Sequence, residues 1–460
     1  MSTTEPVSRP GGETVTAAAV DAPPGLPPVL GGVDLTDSAG FADGIPYDVL
    51  ARLRAQAPIL FHPPGISVDG EGFWVLTRHA DIAAAAADPV FSSQGGGGRS
   101  GGGTHLDDLP VGVHAGVLIG MTDDPRHALV RDLLEPSFDR YAAAALEPEL
   151  RRLAARRVRA ALERGSGNFA ADVAGPYATD AVALLLGAPR TDWPTLTGWT
   201  DAVAGLVNRR TGAVDDESRA IGLGIAEYCG GLLAARRAQP VAGVASVLAT
   251  AELAEHAEEP PLSDHDRVAN LNLLFLTGVE QPRNTAASGV LALAEHPDQW
   301  RALRADRSLL PTAIEEILRW APPNPYNRRT ARTDVDVRGV RIRAGQKVTL
   351  WWASANRDED VFPDAGRFDI RRNPNPHLSF GAGPHACLAD DLARLELRVL
   401  LEELLDRVEE LRLTGPVAWT PSNKHAVVVD LPLELVPAAG RSRPAATDGH
   451  GRKERDGDEH

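Results

Sequence analysis

The sequence predicts a mainly α-helical single domain with a small β part. Long segments carry apolar residues at helical spacing, and only short ones alternate in the manner of strands. Nowhere do strands and helices interleave as a βαβ sheet requires. With 460 residues, 43% hydrophobic and 24% charged, the chain can bury a large core.

Taken in order, residues 1–30 are rich in Pro, Gly, Thr and Ala without periodicity and read as a disordered segment. Residues 439–460 read as a disordered tail, leaving 31–438 as the folded domain. "PYDVLARLRAQAP" (46–58) is an amphipathic helix, and "ILFHPPG", "FWVLT" and "DIAAAAADP" follow as strand, strand and helix. The glycine-rich stretch 92–120 is either a solvated linker or a loop over a substrate pocket. Helices are expected over 124–160, 167–187, 193–208, 216–237 and 241–257. The apolar segment 264–296 comes next, then a helix over 308–323 stopped by Pro322 and Pro323. Residues 325–352 alternate and are rich in β-branched and Gly positions, giving a small sheet. A Gly-rich loop running into a long helix (377–411) and a hairpin (413–437) end the domain. Inside 264–296, Pro282 stands four residues after Gly278. Proline lacks the N–H that would bond that carbonyl and clashes with it, so a break is expected there with Glu280 inside it.

A net charge of −16 argues against nucleic-acid binding. No apolar stretch reaches membrane-span length, and the N-terminus lacks the layout of a signal peptide, which points to a cytoplasmic protein without a membrane partner. The two cysteines, Cys229 and Cys387, exclude a disulfide framework and a cysteine-rich zinc cluster. Cys229 reads as a small buried hydrophobe. Cys387 lies in "FGAGPHACLA" (380–389), where glycines let the loop wrap closely and a following helix favours a thiolate. A soft thiolate there, beside His385, suits a metal ligand or a nucleophile.

That stretch resembles the cysteine loop of the cytochrome P450 family, F-G-x-G-x-H-x-C-x-G, with Ala389 in place of the last glycine. Further matches occur in the family's order. "EEILR" (315–319) supplies E-x-x-R with Glu316 and Arg319. "ANRDEDVFPDAGRFDIRR" (355–372) resembles the meander, with Arg367 as third member of a structural Glu–Arg–Arg network and Arg372 as its substitute. "DDPRHALVR" (123–131) resembles D-P-x-x-H-x-x-x-R with one residue fewer, and "NRRTAR" supplies Arg329. The resemblance implies a single-domain cytochrome P450 fold and haem b with Cys387 as axial thiolate. It also implies that Phe380 and Gly381 lie against the haem, and that His127, Arg131, Arg329 and His385 serve its propionates.

On the family's central-helix pattern A-G-x-D/E-T, Thr277, Gly278, Glu280 and Gln281 fall at the informative positions. Glu280 keeps the proton-feeding acid, while Gln281 replaces the alcohol. Freed by Pro282, the Gly278 carbonyl is expected to hold a water in a relay with Glu280. The resemblance implies a bacterial-type monooxygenase, as in secondary metabolism, monomeric, with electrons from NAD(P)H through ferredoxin reductase and ferredoxin. Arg394 and Arg398 are candidates for the ferredoxin contact or for pairing with Glu396 and Glu402. Substrate contacts are expected from 92–120, from apolar residues near 200–207, and from Leu276, Thr277, Gln281, Asn324, Tyr326 and Asn327. The polar trio at 324–327 favours a hydrogen-bonding substrate, a small molecule or small peptide. Two alternatives stand beside this reading: an oxidase performing aryl coupling, ring formation or O-demethylation, and a non-catalytic homologue that supports a partner enzyme.

Overall fold

The computed structural model describes residues 25–65, 70–199, 216–253 and 259–438. Its axis is one helix, Asp264–Glu295, about 48 Å long at 1.5 Å per residue. Ser263 starts it: its hydroxyl accepts from the Asp266 N–H (3.1 Å), and the Asp266 carboxylate accepts from the Ser263 N–H (2.8 Å), closing a capping box. The helix does not break at Gly278–Pro282. Val279 and every residue from Arg283 to Leu293 are buried. Burial on that scale outweighs the ~3 kcal/mol that an interior proline costs.

Helices Gly175–Leu186, Asp216–Ala238, Leu310–Trp320 and Asp390–Arg407 pack around this axis. Gly278 is where Gly175–Leu186 comes closest, since a Cβ there would lie 2.6 Å from Val182 Cγ2. The helix expected over 124–160 is two helices, Arg126–Leu134 and Arg140–Arg164. Pro136 lies between them, and the Asp139 carboxylate caps the second by accepting from the Tyr141 and Ala142 N–H groups (both 2.8 Å).

The main sheet orders Ile59–His62, Phe73–Leu76, Lys347–Leu350, Asn327–Ala331 and Phe91–Ser92. Only the pairing of Phe73–Leu76 with Lys347–Leu350 is parallel. Val348 lies opposite Arg329, so that arginine is fixed mid-strand. The glycine-rich stretch is folded against this sheet. Arg99 donates to Asp108 (2.9 Å) and to the Gly345 carbonyl (3.0 Å), and a Cβ on Gly97 would collide with Gly345 N. At the N-terminal end, Pro28–Leu30 forms a 3-10 turn with Leu30 fully buried, so residues 25–30, expected to belong to a disordered segment, pack on the domain. Residues 1–24, 200–215 and 439–460 lie outside the described residues, as does the expected substrate contact near 200–207.

Beneath the cysteine loop, Glu316 and Arg319 are completely buried and share two hydrogen bonds of 2.8 Å. The second arginine is Arg372, whose Nε donates to Glu316 Oε2 (3.2 Å). Arg367 contributes its backbone carbonyl to Arg319 (3.0 Å) instead of its side chain, which corrects its expected place. A turn ending at Arg367 presents that carbonyl, and the chain then brings Arg372 back to the carboxylate.

Candidate active site

The central helix, the helix Asp390–Arg407, the cysteine loop and the strand Asn327–Ala331 enclose a cavity of about 1450 Å³, counting its open mouth. Its wall combines the cysteine loop and Arg329 with many apolar side chains.

Cys387 opens into this cavity. Gly381 and Gly383 adopt left-handed φ of 73° and 69°, and a Cβ on Gly383 would lie 2.5 Å from the Ala86 carbonyl oxygen. The Cys387 N–H donates to the Phe380 carbonyl (2.7 Å), closing the loop and presenting the thiol. Burial pushes the thiol pKa up, opposed by the Ala389 N–H and by the charges of Arg131 and Arg394. A metal cation on the cavity side supplies what this environment lacks, since it displaces the proton and holds the thiolate.

Four cation-capable side chains gather at one end: Arg329 and His385 line the cavity, while His127 and Arg131 pack against the cysteine loop without lining it. The rings of His127 and His385 have centroids 4.1 Å apart. Arg131 reaches the cysteine loop by donating to the Ala386 carbonyl (2.8 Å). Arg329 is 3% exposed, and among the described residues no carboxylate lies within ion-pair distance of it. Burial lowers its pKa to about 10. His385 is pushed down to about 2 by burial first and then by Arg329, His127 and Arg131. Its Nδ1 is buried without a hydrogen-bond partner among the described residues. Asp124 lies 3.0 Å from His127 Nδ1, and the charge of Asp123 acts on Arg329. A buried cluster of this sign calls for an anion, and the two carboxylates of a haem fit it.

From the central helix the cavity takes Leu274, Thr277, Gly278, Gln281, Pro282, Thr285 and Ala286, but not Leu276 or Glu280. Leu276 packs into the core instead. Glu280 is on the far side of the helix, its Oε1 2.9 Å from His425 Nδ1, so it does not sit inside an oxygen groove as expected. Asn324 and Asn327 line the cavity. Tyr326 is turned away against Trp351, ring centroids 4.9 Å apart, and Asn327 Oδ1 accepts from Lys424 Nζ (2.6 Å). No residue of 92–120 lines the cavity, because that stretch is held against the sheet. Arg394 pairs with Glu315 and Asp390, and Arg398 with Glu147 and Glu402. Glu396, the other expected partner, is buried. Sequence reasoning missed Thr285, although Thr277, Gln281 and Thr285 at i, i+4 and i+8 form a legible polar stripe. Nothing in the sequence links His425 to Glu280, 145 positions earlier.

A helical fold that presents a thiol, with Arg329 and His385 near it, to one cavity fits a haem-thiolate protein. The comparisons specify the family. The cytochrome P450 family model matches residues 232–428. A putative cytochrome P450 126 of Mycobacterium tuberculosis is 43% identical over 414 residues, covering 88% of this chain and 98% of that protein. Linalool 8-monooxygenase of Pseudomonas putida is 33% identical, covering 88% and 99%. Among solved structures, a Mycobacterium marinum cytochrome P450 in complex with pseudoionone superposes with a TM-score of 0.78 at 30% identity, covering 87% and 98%. The chain belongs to the cytochrome P450 family. It is a bacterial-type monooxygenase with thiolate-ligated haem iron, supplied with electrons from NAD(P)H through ferredoxin and its reductase. Among the described residues no helix is long and apolar enough to cross a membrane.

Proposed function

We propose that this enzyme hydroxylates a small, largely apolar substrate of terpenoid or lipid type, and that the Cys387 thiolate would hold its haem iron. Segregation inside the cavity carries the reading. The cations lie at the cysteine-loop end, and the remaining wall is dominated by Phe138, Val182, Leu185, Leu274 and Ala286. Two of the three polar residues at 324–327 that favoured a hydrogen-bonding substrate are occupied elsewhere, Tyr326 against Trp351 and Asn327 with Lys424. The linalool enzyme and the pseudoionone-bound structure support the same substrate class.

The bound haem supplies the activation of dioxygen. One oxygen atom enters the substrate, and the other leaves as water with two protons and two electrons. The chain's own residues prepare the rest. His127, Arg131, Arg329 and His385 hold the propionates, and the loop closed at Phe380 fixes Cys387. Thr277, Gln281 and Thr285 offer polar groups along an otherwise apolar wall. With proline at 282, the Gly278 carbonyl has no N–H four residues ahead, leaving an acceptor for a water beside the cavity.

The test is spectroscopic. Reduced, carbon-monoxide-bound protein is expected to show the thiolate-type Soret band, and Cys387→Ala to lose it. Acyclic terpenoid alcohols and ketones are expected to shift the resting Soret band at lower concentrations than aromatic dipeptides. The reverse order of affinity rejects the substrate class.

A further inference from the structure

Phe380 lines the cavity, and its carbonyl closes the cysteine loop by accepting from the Cys387 N–H. Charged groups stand behind it. The Arg394 guanidinium carbon lies 4.6 Å from the centre of the Phe380 ring, a cation–π contact. His377 stands beside the same ring, with centroids 5.9 Å apart. Both converge on Glu315. Arg394 Nε donates to Glu315 Oε1 (2.7 Å) and its Nη2 to Oε2 (3.2 Å), while His377 Nε2 is 3.1 Å from Oε2. Arg394 Nη1 also donates to Asp390 Oδ2 (2.6 Å), one turn back on its own helix.

Glu315 precedes Glu316 in sequence, yet the two carboxylates serve different structures. Successive helix positions point about 100° apart. Glu316 therefore closes the internal network with Arg319 and Arg372, while Glu315 faces the cysteine loop. Burial acts to raise the Glu315 carboxyl, but the hydrogen bonds of His377 and Arg394 outweigh it and hold it down at about 2. Glu315 is thus a fixed anion and Arg394 a fixed cation, 30% and 33% exposed. The Phe380 ring stands between the guanidinium and the cavity, an apolar layer that screens charge poorly. The charge of Arg394 acts on Cys387.

Resting on the reading that Cys387 holds the haem iron, we propose that Arg394 is a positioning residue that sets the potential at which the iron accepts an electron, with Glu315 as its counterweight. Reduction adds one negative charge at the iron. A cation behind the cysteine loop favours the reduced state, and an anion there opposes it. Arg394 accordingly raises the potential and Glu315 lowers it, while their pairing keeps both charges in place. The electron comes from ferredoxin, and neither residue gains or loses one. Arginine suits this position because its planar fork pairs with a carboxylate and lies on an aromatic ring at once, which lysine cannot do.

The experiment is a reductive titration of haem-loaded protein with mediator dyes, read at the potential where wild type is half reduced. Arg394→Gln is expected to lower the ferrous-to-ferric ratio about threefold or more, and Glu315→Gln to raise it by a similar factor. The double variant should return within twofold of wild type, because opposite charges leave together. Arg394→Lys keeps the charge and is expected to shift the ratio less than half as far as Arg394→Gln. A merely structural brace gives another pattern, since any break in it loosens the loop and moves both single variants the same way. Shifts of equal sign, unchanged ratios, a double variant further from wild type than either single one, or lysine shifting as far as glutamine each overturn the proposal. Where Arg394→Gln does not load haem, Glu315→Gln decides alone: a rise supports the proposal, and a fall or no change overturns it. The carbon-monoxide spectrum separates the two readings. A thiolate-type band in wild type and variants with unshifted potentials rejects the role of Arg394 alone, and its absence from wild type rejects the haem-thiolate reading itself.

Discussion

Glu396 sits on the helix after the cysteine loop, and its Oε2 is buried without a hydrogen-bond partner among the described residues. Arg394 and Arg398, on the same helix, spend their charges on Glu315, Asp390, Glu147 and Glu402 instead. Burial pushes the Glu396 carboxyl up to about 8 from 4.5. The folded state therefore keeps a proton that the unfolded chain releases, and linkage makes stability fall as pH rises between those values. Glu396→Gln removes the titration while preserving shape. In thermal or denaturant unfolding of the haem-loaded protein, the variant is expected to match wild type near pH 4. Its advantage should grow through neutrality and level off above pH 8, at roughly 3–5 kcal/mol as an upper bound. A difference between the two proteins that is flat with pH contradicts the assignment.

Gly278 shows how far local rules reach at the scale of a helix. The rule that proline ends helices predicts a break at Gly278–Pro282, yet the helix continues because its second half is buried on every side. That burial comes from partners distant in sequence, which no local pattern displays. Other features were legible for local reasons: the capping box at Ser263, the stop at Pro322–Pro323, and the wrapped loop of Gly381, Gly383 and Cys387 each depend on neighbours a few residues apart. Arg367 was assigned in place of Arg372 because motif spacing does not reveal which way a turn directs a side chain. Glu280 was placed at the cavity for the same reason, since the family pattern gives position along the helix while its partner His425 comes from the far end of the chain. The close approach of Val182 to Gly278 yields a test of this packing. Gly278→Ala is expected to cost ~1–3 kcal/mol through overpacking. Val182→Ala in the same chain should recover part of that loss, so that the two substitutions are non-additive in a double-mutant cycle. Strict additivity in urea unfolding would show that the helices do not meet at this point.

Across the whole molecule, the haem site draws together segments that are otherwise held apart. His127 and Arg131 come from the helix Arg126–Leu134, Arg329 from the main sheet, and His385 and Cys387 from the loop after the meander. Without an anion the charges of Arg131 and Arg329 share a buried space and help hold His385 neutral, while the carboxylates of haem would turn that repulsion into attraction. A ligand bound only by the folded state stabilises it by RT ln(1 + [L]/Kd), and the gain should concentrate where the ligand compensates charge. Other regions depend on contacts that haem does not touch. The Glu316–Arg319–Arg372 network is closed within the protein, and the helix Arg140–Arg164 carries its own cap at Asp139. Hydrogen exchange on protein with and without haem is therefore expected to lose protection over residues 123–134, 324–331 and 378–389. Amides of residues 140–164 and 310–320 should keep theirs, within a factor of about three. Charge compensation also predicts that Arg329→Gln narrows the difference between the two forms, because less repulsion remains for haem to relieve. If protection instead fell evenly over the whole chain on haem removal, the cofactor would be acting as a global core element, and the cationic cluster would not be the place where binding energy enters the fold.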